Sequence, residues 1–244
     1  MMSILFWSRP STGLTKAYLM HAWQSRNELN EDERMGFGII FYLTLCGHLE
    51  ACFAELIGRR LSHARFTFEH LKVAGVQWSG EQTAHPAAPI HETLTGLVEK
   101  MQRDVSQQPL DKLQERFEEV FNVRLADVLE EEREDLSALR CMRNLFAHGR
   151  DITFSFKQDK SNSADLSRHP LEPAAKRLLA AGVLSSIRFD ARTHHEFCRA
   201  LLSDQALLYF LGRAKVIQKK LQGVPSFQPE LKWPTMVELP DLTS

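Results

Sequence analysis

Apolar residues recur at helical spacing along most of the chain, and this pattern predicts a mostly α-helical protein. The predicted helices cover residues 15–30, 33–60, 62–74, 91–105, 171–181 and 191–221, and a further one opens at Pro109. Ser62 is predicted to cap the third of these helices. The segment 75–89 carries Gly75, Gly80 and two prolines and is predicted to be a loop.

One further helix is predicted from Asp127, its N-terminal cap, to Gly149, a residue suited to the left-handed turn after a helix. On a helical wheel one of its faces is apolar and should belong to the core: Leu139, Met142, Leu145 and Phe146. The other side carries polar residues four apart, Arg140, Asn144 and His148, with Arg143 at the border and small Ala147 nearby.

An acidic run occupies the first turns of this helix: Glu130, Glu131, Glu132, Glu134 and Asp135. Acidic side chains are favoured at the positive end of a helix. We interpret the run as a solvated face.

Two short segments beyond this helix alternate apolar and polar residues. Residues 152–156 are typical of a β-strand, and residues 186–189 are predicted to pair with them in a small β-hairpin. From Gly223 onward the chain carries four prolines and should not be helical. Trp233 and Met236 leave open whether this tail is disordered or lies extended on another surface.

Composition narrows the class of protein. The 244 residues are 43% hydrophobic and 25% charged, with 30 basic and 31 acidic residues, so a nucleic-acid site would have to be a local basic patch. Four cysteines without a disulfide pattern indicate a reducing compartment, and we expect a cytoplasmic protein. The best membrane-span candidate, 35–57, is interrupted by His48, Glu50 and Glu55, so we expect a buried core helix and no membrane association.

No metal or cofactor site is predicted. His194 and Cys198 are four residues apart on a predicted helix, but no further ligand cluster accompanies them. Phosphate-binding glycine loops and nucleophile elbows are absent from the sequence.

The segment 139–149, with Arg143, Asn144, His148 and Gly149, resembles the HEPN superfamily, the helical domains of prokaryotic defence and toxin–antitoxin ribonucleases. Their signature is an arginine, four to six residues and a histidine, often with a polar residue directly after the arginine. Three other pairs have similar spacing, but they lack the neighbouring asparagine and the helix-ending glycine: Arg65–His70, Arg188–His194 and Arg188–His195.

The resemblance covers the helices from about residue 33 to 150 and is weaker over the rest, and it implies a fold and an assembly. The expected fold is a HEPN-like helical bundle with the small β-hairpin inserted after the motif helix. Residues 1–32 would be an N-terminal helix and lead-in, 33–150 the HEPN-like core, 151–222 the hairpin and C-terminal helices packing on that core, and 223–244 the proline-rich tail. The family geometry implies a homodimer whose two motif helices line one composite cleft.

The resemblance also implies metal-independent cleavage of RNA, by attack of a ribose 2′-OH on the adjacent phosphate. His148 would move the proton and Arg143 would bind the phosphate through planar donors, while Asn144 would orient His148 or contact the substrate. Arg140 is a candidate substrate-binding residue on the same side. The protein would act in bacterial defence or beside a cognate antitoxin or other regulatory partner.

Two further residues have competing interpretations. Family members often place a polar residue on an earlier helix facing the motif, and Glu50 is the candidate; the alternative is a carboxylate paired with an arginine at the core edge. Arg150 stands where one branch of the family has a tyrosine, so control by modification there is not expected. Arg150 would instead bind the RNA backbone, or only complement the helix end.

The alternative to an enzyme keeps the fold without the chemistry: a non-catalytic dimerising or nucleic-acid-binding module. The intact Arg143–His148 pair favours the ribonuclease, because a scaffold does not need both residues.

Overall fold

The computed structural model describes residues 10–78, 88–105, 108–148, 166, 169–190, 193–224 and 238–242. These residues confirm the mostly helical prediction and contain no β-strand. The described helices are α1 (Pro10–Ser25), α2 (Glu31–Trp78), α3 (Ala88–Val105), α4 (Leu110–Phe121), α5 (Leu125–Leu129), α6 (Glu132–Ala147), α7 (Glu172–Ala180), α8 (His194–Leu201) and α9 (Asp204–Gln222). A 3₁₀ turn, Arg26–Glu28, follows α1.

Helix α2 is a single helix of 48 residues, where the sequence predicted two. It begins with a capping box, in which the Asn30 side chain accepts from the Glu33 amide and the Glu33 carboxylate accepts from the Asn30 amide. The predicted cap Ser62 lies inside the helix, where its hydroxyl donates to the Gly58 carbonyl at 2.9 Å and accepts from the Gln102 amide. A serine satisfied in this way does not end a helix.

The helix that carries the motif begins at Glu132, five residues later than predicted. Asp127 does not cap it and belongs instead to the short helix α5. The break between the two helices is at Glu130, whose φ of +46° places it in the left-handed region.

The predicted C-terminal helix 191–221 is also two helices, α8 and α9. Ser203 adopts an extended backbone between them, and its hydroxyl accepts from the Ala206 amide to cap α9. A capping serine therefore interrupts a segment whose apolar periodicity looks continuous.

The chain forms two compact units. The described part of unit 1 comprises residues 50–78, 88–105, 108–125 and 224, and that of unit 2 comprises residues 10–49, 126–148, 166, 169–190, 193–223 and 238–242. In unit 1, Phe53 meets Phe117 edge to face, with ring centroids 5.4 Å apart. In unit 2, α6 packs against α7 and α9. The predicted division of the chain into residues 1–32, 33–150, 151–222 and 223–244 remains a prediction.

Of the two predicted strands of the hairpin, the structure describes only the second, and it is not a strand. Residues 186–189 form no strand, and their predicted partner 152–156 lies outside the described residues. In the tail, residues 238–242 contain no helix, Leu239 and Leu242 are buried, and Asp241 lies 3.7 Å from Lys215 of α9. The described end of the tail therefore belongs to unit 2 and lies beside α9.

Residues Glu31–Ala64 of α2 are long and apolar enough to cross a membrane by length and composition. Of the most apolar window in this segment, 61% is buried inside the protein. A buried core helix of a soluble protein passes the same test.

Candidate functional site

The C-terminal half of α6 has one buried and one accessible side, as the helical wheel predicts. Leu139, Met142 and Leu145 are buried. The accessible side carries two half-exposed arginines and three exposed residues, which we call the motif surface: Arg140, Arg143, Asn144, Ala147 and His148. The sequence spacing therefore brings the predicted polar residues together on one surface.

The arginine and the asparagine of the motif are in contact. The Arg143 guanidinium donates through Nη1 to the Asn144 side-chain oxygen at 3.2 Å. Ala147 is the last residue of α6, and exposed His148 follows it directly. Gly149, the predicted helix end, and Arg150, the predicted substrate-binding residue, lie outside the described residues.

An aromatic contact holds the C-terminal end of α6. Phe146 was predicted to be core, but it is only half-buried, and its ring stacks on Tyr42 of α2 with centroids 6.1 Å apart. The fully buried Tyr42 hydroxyl donates to the Leu201 carbonyl of α8 at 2.8 Å. Burial, and secondarily the neighbouring Cys46, raise the pKa of Tyr42 well above its ordinary value, so it remains a neutral donor.

Ion pairs hold the N-terminal end of α6, and the interpretation of its acidic run as a solvated face is wrong in part. Glu130, Glu131 and Glu134 are exposed, as a solvated face requires. Glu132 and Asp135 are buried instead. A buried carboxylate needs partners, because removing its charge from water is costly.

Asp135 has four such contacts. Its carboxylate accepts from Arg177 of α7 through Nε at 2.7 Å and Nη2 at 3.1 Å, from the Tyr209 hydroxyl at 2.8 Å and from Arg213 Nε of α9 at 2.6 Å. The hydrogen bond to Asp135 raises the pKa of Arg177. Burial, followed by the hydrogen bond to Asp135, raises the pKa of Tyr209. One side chain of α6 thus joins α7 and α9.

Glu132, one turn earlier, extends the same cluster. It accepts from Arg213 Nη2 at 2.9 Å and from Lys220 Nζ at 2.6 Å. Burial by itself would raise the pKa of Glu132, but the Lys220 hydrogen bond and the charges of Lys220 and Arg213 bring it below its ordinary value. Glu132 is therefore held in its charged form.

Sequence reasoning did not single out the partners of these carboxylates: Arg177, Tyr209, Arg213 and Lys220. A partial signal was available, since Glu132 and Asp135 are three apart and Tyr209 and Arg213 are four apart, so each pair shares a helix face. That spacing does not indicate which helices pack against each other. We call these six residues the charged cluster.

Glu50 and the motif surface belong to different units. Glu50 is half-buried in the part of α2 that belongs to unit 1, whereas the motif surface belongs to unit 2. Neither interpretation of Glu50 is decided by this placement. Among the described residues, no group of three histidine, cysteine or acidic side chains is arranged to hold a metal ion.

The fold and the site together define a helical protein with an accessible Arg–Asn–His surface at the end of a firmly held helix. No protein-family model, curated protein sequence or solved structure matches the chain. Its function therefore has to be argued from the motif surface itself.

Proposed function

We propose that the protein is a metal-independent endoribonuclease that cuts RNA at the motif surface. The observation that carries the proposal is the accessibility of Arg143, Asn144 and His148 on one side of α6, whose other side is buried. A helix needs only its apolar face to pack, so packing alone does not explain this combination of side chains. The resemblance of the segment 139–149 to HEPN ribonucleases points to the same chemistry.

The residue types suit cleavage by an internal nucleophile. His148 would accept the proton of a ribose 2′-OH as its oxygen bonds to the adjacent phosphorus, and would return a proton to the 5′-oxygen as the phosphorus–oxygen bond breaks. Arg143 would stabilise the charge that develops on the phosphate. The contact between Arg143 and Asn144 would fix the direction of the guanidinium. The products are a 2′,3′-cyclic phosphate and a 5′-hydroxyl.

The two ends of α6 are held in ways that suit such a site. Tyr42 contacts Phe146, two residues before His148, and the charged cluster holds the first turns of the helix. Reacting groups must be held in a narrow range of geometry, and anchored elements provide this better than loops. The site would need no movement of the α6 backbone.

The proposed active form is a homodimer. Ala147 is exposed between Asn144 and His148 and is small enough to let a second copy of α6 come close. A twofold axis near Ala147 would place the Arg143 and His148 side chains of both copies along one cleft. We further propose a cytoplasmic protein of a bacterial defence or toxin system, in which a cognate antitoxin would cover this surface.

The test is cleavage of total RNA by the purified protein in EDTA. We expect His148→Ala to slow cleavage by on the order of a hundredfold or more, because it removes the proton carrier. Arg143→Ala should slow it comparably. An oligonucleotide with 2′-deoxyribose at the cleavage position should remain intact.

The matched control is His195→Ala, which removes an exposed histidine of α8 in the same unit. It should cleave RNA like the wild type. Equal rates for His148→Ala and the wild type would show that the site is elsewhere. If the wild type cuts no RNA, the non-catalytic dimerising or nucleic-acid-binding module replaces the enzyme. Products with a 3′-hydroxyl would indicate hydrolysis by another mechanism.

A further inference from the structure

A second candidate site lies in unit 2, where the first turns of α2 meet the 3₁₀ turn and the junction of α8 and α9. A half-open cavity of about 500 Å³ lies there, a size typical of small-molecule sites. We call it the arginine pocket. None of the motif-surface residues lines it.

The floor of the arginine pocket is apolar. It consists of half-buried side chains: Leu29, Met35, Phe37 and Leu202. Behind the floor, the Phe37 ring lies 6.3 Å from buried Trp23 and 5.8 Å from buried Phe41. An apolar ligand placed on this floor would gain contact with a rigid aromatic group.

The rim of the pocket carries three arginines and two acidic residues. Arg26 pairs with Asp204 at 2.9 Å, and Arg199 pairs with Glu31 at 2.6 Å. Arg34 is exposed, and none of the ion pairs formed among the described residues includes it. The lining therefore has one positive charge in excess.

We propose that the arginine pocket binds a small molecule with one carboxylate head and an apolar body. Arg34 would bind the carboxylate through its two parallel N–H donors, and the floor would cover the apolar body. Because Glu31 and Asp204 already neutralise Arg199 and Arg26, the one excess positive charge matches a single carboxylate and does not suit a nucleic-acid backbone, which needs several cations. The proposal is independent of ribonuclease activity.

The test uses straight-chain fatty acids as probes, titrated into the full-length protein by calorimetry. Hexanoate, octanoate and decanoate should bind progressively more tightly, by about three- to fourfold for each added methylene that the floor covers. Decanol and decylammonium, which have the same body without the negative charge, should bind at least about tenfold more weakly than decanoate. Decanoate should also change the tryptophan fluorescence, and Trp23→Phe should abolish that change without abolishing binding.

Variants locate the head group. Arg34→Gln should weaken decanoate binding about tenfold, whereas Arg34→Lys should retain part of the affinity because it keeps the charge. Arg124→Gln, which removes an exposed arginine of unit 1, is the matched control and should change nothing. Equal affinities for decanoate and decylammonium, no binding of any probe, or normal decanoate binding by Arg34→Gln would each overturn the proposal. Because the readout is binding, RNA cleavage can fail while this proposal stands, and the reverse also holds.

Discussion

At the scale of single residues, the Asp135 carboxylate is fully buried and depends on its partners. It holds Arg177, Tyr209 and Arg213 together. Asp135→Asn keeps the shape but leaves Arg177 without its buried counter-charge and Arg213 with only Glu132, and breaking a buried pair typically costs about 3–5 kcal/mol. We expect a loss of that order in the free energy of unfolding, measured by urea denaturation.

Glu134→Gln is the control for this substitution. Glu134 pairs with the same Arg177 at 3.1 Å, but its side chain is 74% exposed. Exposed ion pairs contribute little, because water screens them. A comparable loss for both variants would mean that burial does not set the strength of the cluster.

His48 makes stability depend on pH. Its side chain is fully buried, with Nε2 at 3.2 Å from the Gln218 oxygen, and Nδ1 has no hydrogen-bond partner among the residues that the structure describes. Burial lowers the pKa of His48, outweighing the Gln218 hydrogen bond, which raises it. The unfolded chain thus binds a proton more readily than the folded chain does below about pH 6.5.

The free energy of unfolding should therefore be unaffected by His48 above about pH 6.5 and fall below it. The loss continues down to the lowered folded-state pKa, by at most about 1.4 kcal/mol for each pH unit. Urea titrations between pH 7.5 and 5.5 would measure this slope, and His48→Gln should flatten it. His195→Gln, at an exposed position, should leave the slope unchanged; a slope unaltered in His48→Gln would contradict the assignment.

At the scale of elements, two glycines of α2 differ only in their surroundings. A Cβ at Gly47 would meet nothing within 4 Å. Gly47→Ala should therefore stabilise the protein by about 0.5–1 kcal/mol, since glycine is the costlier residue inside a helix. A Cβ at Gly38 would lie 3.1 Å from the Leu202 side chain and 3.3 Å from its carbonyl oxygen.

Gly38→Ala should lose this gain, because the α8–α9 junction must move to admit the methyl group. The midpoint of thermal unfolding would rise for Gly47→Ala and stay level or fall for Gly38→Ala. A rise of equal size in both variants would show that the junction yields easily. Each variant is the control for the other, because both change glycine to alanine inside α2.

At the scale of the whole molecule, the proposed homodimer has a test of its own. Ala147→Glu would place two like charges near the twofold axis and should shift the protein toward monomer at micromolar concentration. The far-ultraviolet circular dichroism should not change, because Ala147 is exposed. Sedimentation velocity would measure the assembly.

Mixing inactive chains would test whether the active site is shared. An Arg143→Ala chain and a His148→Ala chain form heterodimers with one intact residue of each kind on opposite copies, so part of the cleavage should return. Each variant incubated alone supplies the baseline. A mixture as inactive as its components, or a monomer that cuts RNA at full rate, would rule out the composite cleft.

Local spacing was enough to determine the helical character of the chain and the two faces of α6. Pro109 precedes α4 as predicted, because its ring fixes the backbone angle that a helix start requires. Leu139, Met142 and Leu145 are buried, whereas Asn144 and His148 are exposed. Apolar residues that recur every three to four positions lie on one face of a helix, and only that face needs to be buried.

Only the tertiary structure decided which polar groups are buried and where helices break. Glu132 and Asp135 are buried among the cations of α7 and α9, whereas Glu131 is exposed and Glu134 meets Arg177 only at the surface. Helix packing sets this difference, and the acidic run itself does not. Ser62 and Ser203 are the same residue type, yet one continues a helix and the other starts one. A serine hydroxyl can bond to a carbonyl inside a helix or cap the start of one, and the surrounding contacts determine which backbone conformation has the lower free energy.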